Sequence, residues 1–284
     1  MNVNILTTPP LALKMLIRKA DTHKGMYGNV AIIGGAPGMI GAALLAGRAA
    51  LHLGAGRVHI GLLKSKIAVD FMQPELMMNS PQRLINNDLI THLLIGPGLS
   101  QSRKAKYLIS ESLNSSKSLI IDADGLNIIA NNSKLQRTLK HRQAETIITP
   151  HPAEAARLLN CELANIQSNR QSAVIQLFKT YQCGVILKGH NTLIMASGDI
   201  IHQNTSGNSA LSNAGQGDVL GGIILSLWAQ GLSLINASCS GVFLHGQAAD
   251  LWRTHNANRI GLTASQVIEL AKSALNNFIL PTID

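Results

Sequence analysis

Three features of this 284-residue sequence predict an α/β fold, a three-layer sandwich in which a central, mostly parallel sheet lies between helices. Short apolar runs recur along the chain, glycines or prolines punctuate their ends, and helical stretches separate one run from the next. A buried strand, a helix and a further buried strand joined at glycines make a βαβ crossover, the connection that parallel strands require.

The first unit opens at residue 28. "GNVAIIGG" reads as a buried strand, "APGMIGAALLAGRAALHLGAG" as an Ala/Leu-rich helix stopped by glycine, and "RVHIGLL" as the next strand. "LITHLLIGPGLS" at 89–100 is a strand running into a Gly-Pro-Gly loop, followed by a helix from Ser102 to about Leu113. "SLIIDADGLNII" at 118–129 ends its apolar entry in two acids, and "ETIITPHPAEAARLL" at 145–159 reads as strand, Thr-Pro-His-Pro turn and helix. Each proline of that turn fixes its own φ and biases the preceding residue away from helix. Residues 170–182 form a helix, and 184–204 read as a strand, a Lys-Gly loop and a two-strand ribbon turned at "SGD". Helices follow from about Asp218 to Ala229 and from about Ile235 to Asp250. A last helix is announced by Thr263, with Gln266 three residues on to complete a capping box. No repeat or low-complexity linker interrupts the pattern, so residues 1–284 are expected to be one domain, with residues 1–20 as an N-terminal extension.

Composition narrows the class. Hydrophobic residues make up 46% of the chain but aromatics only 3%, so Leu, Ile, Val and Ala must build the core. The net charge of +9 favours anionic ligands. The densest basic cluster is "SRKAK" at 102–106, without the aromatic interleaving of a single-strand binder, so no specific nucleic-acid partner is expected. Cys161, Cys183 and Cys239 lie far apart, which suggests neither a disulfide framework nor a thiolate zinc site and fits a reducing compartment. The N-terminus has no signal-peptide pattern and no apolar run reaches spanning length, so a cytoplasmic protein with no membrane partner is expected.

In an open parallel sheet, ligands sit at the carboxyl ends of the strands. That rule gathers "GGAPGM", "GPG", "DAD", "TPHP" and "LKG" on one edge. Neither GxGxxG nor GxxxxGK[ST] occurs there, so a Rossmann cofactor site and a P-loop are both unsupported. In "NAGQGDVLGGII" at 213–224, unpaired amides at a helix start can hold a phosphoryl group, and Asp218 stands beside them as a candidate proton acceptor or a first-turn acid serving the helix dipole. Lys188 ends a strand and can meet a phosphate or point into solvent. His151, between two prolines, suits ligand contact or a structural hydrogen bond. Asp122 and Asp124 can organise Mg²⁺ through water or cap the following turn. His23, His141 and His245 have no metal-site spacing and are expected at surface or structural positions.

These segments together resemble the ADP/ATP-dependent NAD(P)H-hydrate dehydratases of the ribokinase-like superfamily. The resemblance runs from "HKGMYGNVAIIGG" at 23–35 through "GAALLAGRAALHLGAG", "IGPGL", "DADGLN", "TPHPAEAARLL", "LKGHNTLI" and "GDVLGGII" to "FLHGQAAD" and "GLTASQ" at 261–266. It implies an enzyme that dehydrates the S form of hydrated NADH or NADPH, with ADP (or ATP) as co-substrate, Mg²⁺ as cofactor, and AMP and phosphate released when ADP is used. The family's hydrated-nicotinamide site falls on Ala42, Gly98, His151 and Asp218, with Asp218 as the catalytic base. Its adenine-nucleotide site falls on Lys188, Gly189, His190, Asn191, Thr192 and Gly217; metal ligands are not assigned. A homo-oligomer and a partnership with a separate epimerase for the hydrate are also implied. The sequence departs from the family's Gly-Gly-Thr-Gly-Asp at Ala214 and Gln216, which places nucleotide preference and rate in question. Two rivals share the same motifs, a ribokinase-like small-molecule alcohol kinase and a non-enzymatic nucleotide-binding protein.

Overall fold

A computed structural model describes residues 2–64, 67–196, 198–257 and 259–279. Its strands are β1 (Asn2–Leu6), β2 (Asn29–Gly34), β3 (Arg57–Leu62), β4 (Met77–Asn79), β5 (His92–Ile95), β6 (Ser118–Ile121), β7 (Thr146–Ile148), β8 (Gly184–Leu187), β9 (Leu193–Met195) and β10 (Ile200–Asn204). They form one sheet in the order β1-β10-β9-β8-β7-β6-β5-β2-β3-β4. From β4 across to β8 every pairing is parallel, and only β9 runs antiparallel to its neighbours. The helices are α1 (Ile40–His52), α2 (Pro81–Ile85), α3 (Arg103–Asn114), α4 (Asp124–Ala130), α5 (Ser133–Lys140), α6 (Pro152–Leu159), α7 (Leu163–Ser168), α8 (Arg170–Tyr181), α9 (Gln216–Ala229), α10 (Leu234–His255) and α11 (Ala264–Ile279).

Strand side chains alternate between two cores. Val30 and Ile32 of β2 join a cluster with α1, α9, α10 and α11, while Ala31 and Ile33 join one with α3 to α8. Both faces of the parallel strands are therefore buried, and the expected three-layer sandwich is present. Aliphatic side chains supply nearly all of it, each contributing roughly 1.5–3 kcal/mol on full burial.

The helix pair α1 and α9 governs how the site is set. Helix α9 carries one charge, Asp218 in its first turn, and from Val219 to Trp228 it is buried, as expected of a helix apolar on all sides. It approaches α1 so closely that a Cβ on Gly222 would lie 2.1 Å from the Ala46 carbonyl oxygen and 2.9 Å from the Ala49 Cβ. Gly222→Ala is therefore expected to cost about 1–3 kcal/mol by forcing the helices apart, read as a lower urea midpoint at unchanged slope.

The sequence-predicted strands and long helices are present, and the Thr263 capping box forms as expected: the Gln266 amide donates to Thr263 Oγ1 at 3.3 Å and the Thr263 amide to Gln266 Oε1 at 2.9 Å. The ribbon of β9 and β10 is antiparallel; Ser197 of the "SGD" turn lies outside the described residues. The N-terminal extension is not separate from the sheet, because β1 pairs in parallel with β10 at its edge. The pattern also missed β4, α2, α4, α5 and α7. Three to eight residues are too few to display a period.

Candidate functional site

Parallel pairing brings the carboxyl ends of β2, β5, β6, β7 and β8 to one edge, so the glycine and acid motifs that follow them are neighbours. Backbone bonds knit them: the Gly35 and Ala36 amides donate to Pro97 and Gly98 at 3.0 and 2.7 Å, and the Lys188 amide to Pro150 at 2.9 Å. In sheet order the edge presents Gly98, then Asp122, then His151, then Lys188.

Asp122 is nearly fully buried at the end of β6. Its Oδ1 accepts from Lys188 Nζ at 2.6 Å and from the Ala123 amide at 2.8 Å. Glu154, 4% exposed, places Oε2 4.0 Å from the same ammonium. One lysine thus faces two buried carboxylates. Burial pushes the Glu154 carboxyl up, with Lys188 opposing. Burial acts to lower the Lys188 ammonium, but Asp122 and Glu154 outweigh it and hold the group above its ordinary value.

Asp218 forms no ion pair among the described residues. Gly215, with φ of +85°, turns the chain through the left-handed region to open α9. The first amide bonded back to that turn is Val219, to the Gly215 carbonyl at 3.1 Å, so the preceding amides of Gln216, Gly217 and Asp218 belong to the unpaired helix start. A Cβ on Gly217 would sit 3.4 Å from Lys188 Nζ and 3.7 Å from Asp122 Oδ2, which places this helix start directly on the ion pair. Burial, and then the negative charge of Asp122, raise the Asp218 carboxyl to about 7 despite Lys188.

Ala42 and Gly98 meet beside it, since a Cβ on Gly98 would lie 3.2 Å from the Ala42 Cβ. Ala42 and Asp218 each lie four residues, about one turn, before the Ala46–Gly222 crossing and so share one end of the helix pair. His151 caps α6: its Nδ1 accepts from the Ala153 and Glu154 amides, and Glu154 Oε2 accepts from the His151 amide at 2.8 Å. Those bonds assign the ring proton to Nε2, 3.3 Å from Glu154 Oε1. Burial and the Lys188 and Arg157 charges lower its pKa, keeping the ring neutral at pH 7.

On the β8–β10 side of this edge lies a cavity of about 510 Å³. All six sequence-predicted nucleotide residues, Lys188, Gly189, His190, Asn191, Thr192 and Gly217, line it. Arg170, at the start of α8, holds the lysine loop by donating to the Leu187 and Lys188 carbonyls at 2.9 and 3.1 Å and to that of His190. The opposite wall includes Asn208, Ser209 and Ser212, which sequence reasoning did not single out. Asp250 fixes that wall by accepting from the Gly207 amide and Asn208 Nδ2 at 2.8 and 2.9 Å; the acid ends "FLHGQAAD", the signal that could have found it. Of the surface or structural positions expected for it, His245 takes the buried one. It is buried against the cavity beside Gln216, and burial pushes its ring down to about 4. His23, by contrast, accepts from the Gly25 amide in the structural manner expected, and His141 closes α5.

The two sequence departures also find their places. The left-handed residue is Gly215, so exposed Ala214 meets no conformational demand, whereas buried Gln216 donates from Nε2 to the Leu262 carbonyl at 3.4 Å. Asp124 Oδ2 accepts from the Ser100 amide, and Asp122 is engaged by Lys188. Among the described residues no group of three or more His, Cys, Asp or Glu side chains could hold a metal, and no helix is long and apolar enough to cross a membrane.

The sequence profile of the NAD(P)H-hydrate dehydratase family matches residues 30–272, which hold every site residue above. The chain belongs to that family. The ADP-dependent (S)-NAD(P)H-hydrate dehydratase of Neisseria meningitidis is 39% identical over 259 residues, spanning 90% of this chain and 87% of that protein. Longer relatives, the bifunctional NAD(P)H-hydrate repair enzymes, align with this chain over about half their length. Among solved structures, the ADP/ATP-dependent NAD(P)H-hydrate dehydratase of Bacillus subtilis, crystallised with ATP and Mg²⁺, superposes with a TM-score of 0.81 at 27% identity, covering 96% of this chain and all of that one. A ribokinase-like superfamily protein of Enterococcus faecalis superposes at 0.83 over 98% of this chain and 97% of that one, and at 23% identity it shows the fold alone. The dehydratase fold is thus the ribokinase-like sandwich expected from the sequence.

Proposed function

We propose that this chain is an ADP-dependent dehydratase of the S form of hydrated NADH and NADPH, a lyase that repairs the cofactor and releases AMP and phosphate. The observation that carries the reading is Asp218: a carboxylate raised to about 7, at an anion-binding helix start, between a nucleotide-sized cavity and the Ala42–Gly98 corner.

In this reading Ala42, Gly98 and His151 seat the hydrated nicotinamide, and the Lys188–Thr192 loop with Gly217 holds ADP. Asp218 takes the proton of the ring hydroxyl as its oxygen attacks the β-phosphorus and AMP leaves. The amides at the start of α9 receive the charge on the transferred phosphoryl group. The ring nitrogen then pushes its electron pair toward the carbon that carries the phosphate, the C–O bond breaks, and the neighbouring carbon loses a proton to restore the double bond. Mg²⁺, where present, would neutralise phosphate charge. Asp122 and Asp124 offer it no closed ligand set, so we assign no step to it. A cytoplasmic homo-oligomer that works beside a separate epimerase completes the proposal.

The experiment is to follow the near-ultraviolet absorbance of reduced nicotinamide with hydrated NADH, Mg²⁺ and either ADP or ATP. A rise with ADP supports the reading; a rise with ATP alone changes the donor. A flat trace with verified substrate and folded protein overturns it in favour of an alcohol kinase or a nucleotide-binding protein. A second measurement addresses the nucleotide loop. Arg170→Met removes three hydrogen bonds to the loop carbonyls and should raise the AMP dissociation constant about tenfold, read by calorimetry.

A further inference from the structure

Hydrated NADH and NADPH are dinucleotides, and the hydrated ring accounts for one end only. If that ring sits at Asp218, the cavity on the β8–β10 side is taken by ADP, so the adenosine half must leave along the sheet edge in the other direction. That direction leads past Gly35 and Ala36 to the carboxyl ends of β3 and β4, one and two strands from β2, roughly 5 and 10 Å away.

A second cavity, of about 610 Å³, lies there. Its lining includes Lys64 after β3, Arg83 on α2 and Lys104 on α3, together with the small polar residues Asn79 and Ser80, and no acid among the described residues. Lys104 Nζ donates to the Leu63 carbonyl at 3.2 Å, which anchors its ammonium at the strand end. None of the ion pairs among the described residues involves these three cations. Three cations that line one cavity with no carboxylate among its described residues repel one another, and an anionic ligand removes that repulsion. Arginine and lysine with nearby hydroxyl and amide groups are the chemistry of a phosphate subsite.

We propose that this cavity binds the phosphate groups of the substrate's adenosine half, either the bridging pyrophosphate or the 2′-phosphate that distinguishes hydrated NADPH from hydrated NADH. The assignment of the ligand rests on the dehydratase reading above.

The test uses the full chain and the double variant Arg83→Ala/Lys104→Ala. Both residues are exposed, so the fold should be undisturbed. Lys134→Ala/Lys140→Ala on α5 removes the same charge elsewhere and serves as the control. The variant should raise KM for hydrated NADPH about tenfold or more, leaving kcat within about twofold and KM for ADP unchanged; the control should change none of these. An equal rise for hydrated NADH identifies the pyrophosphate as the bound group, and a rise confined to hydrated NADPH identifies the 2′-phosphate. Unchanged KM for both substrates overturns the proposal. Calorimetric titration with 2′,5′-ADP, in the presence of saturating AMP to fill the nucleotide cavity, needs no turnover. If the wild type binds it and the double variant does not, the subsite stands even should the dehydratase assay fail. If the wild type fails to bind it and KM is also unmoved, the subsite is rejected while the dehydratase reading survives.

Discussion

Asp218→Asn is expected to slow nucleotide-dependent dehydration by about 10²- to 10⁴-fold, the ordinary worth of a positioned general base, with AMP affinity changed by less than about threefold. Asparagine keeps the shape and the helix start but cannot accept a proton. The wild-type pH profile should report the same group. Only the ionised carboxylate can act as base, so with a pKa of about 7 kcat/KM should fall about tenfold per unit below pH 7 and level off above it. Stability should move the opposite way. The folded state holds this proton up to about 7, whereas the unfolded chain gives it up near the ordinary aspartate value. The native protein therefore loses stability as pH rises through that window. Asp218→Asn should consequently raise the melting temperature more at pH 8 than at pH 5. A mutant as active as wild type, or no more stable at pH 8, would remove the base from the mechanism. Gain of stability with loss of activity is the pattern of a group strained for function.

The sequence revealed this arrangement where its signals were long or chemically loud. Strands β2, β3 and β5 to β8 were legible because they are largely buried and read as nearly unbroken apolar runs, and the parallel rule placed their ends on one edge without any contact being known. Strand β1 was not legible: its five residues are mostly exposed at the sheet edge, and its pairing with β10 joins positions nearly 200 residues apart. The site followed the same division. Lys188 and His151 stood out as polar groups beside glycine and prolines at strand ends, and Asp218 as an acid among glycines at a helix start. Their grouping around Asp122 and Glu154 could not be read, since an ion pair 66 residues apart leaves no mark on local spacing. His245 was left between a surface and a structural position, because a histidine inside a helix looks the same in sequence whether it faces a cavity or solvent; the structure buries it beside the cavity.

Lys188→Met is expected to show how much of the site depends on a single cation, because it removes two things at once. It takes the ammonium from the nucleotide cavity, and AMP affinity should fall by at least about tenfold. It also strands Asp122 and Glu154, 2% and 4% exposed, with no positive charge between them. Removing one member of a buried ion pair costs about 3–5 kcal/mol because the remaining charge is uncompensated, so the urea midpoint should drop sharply at neutral pH. The pH dependence identifies the cause. Glu154 is already raised by burial, and without the opposing lysine it rises further; stability lost at pH 8 should therefore be partly recovered toward pH 5, as the stranded Glu154 carboxyl takes up its proton. The double variant Lys188→Met/Asp122→Asn separates the two roles. Neutralising the 2.6 Å partner should restore a large part of the stability, since one fewer buried charge is left unpaired, while AMP affinity stays low because no cation has returned. Recovery of both together would mean that Lys188 acts on the nucleotide only by holding the fold, and recovery of neither would mean that Glu154 carries the larger share of the stranded charge.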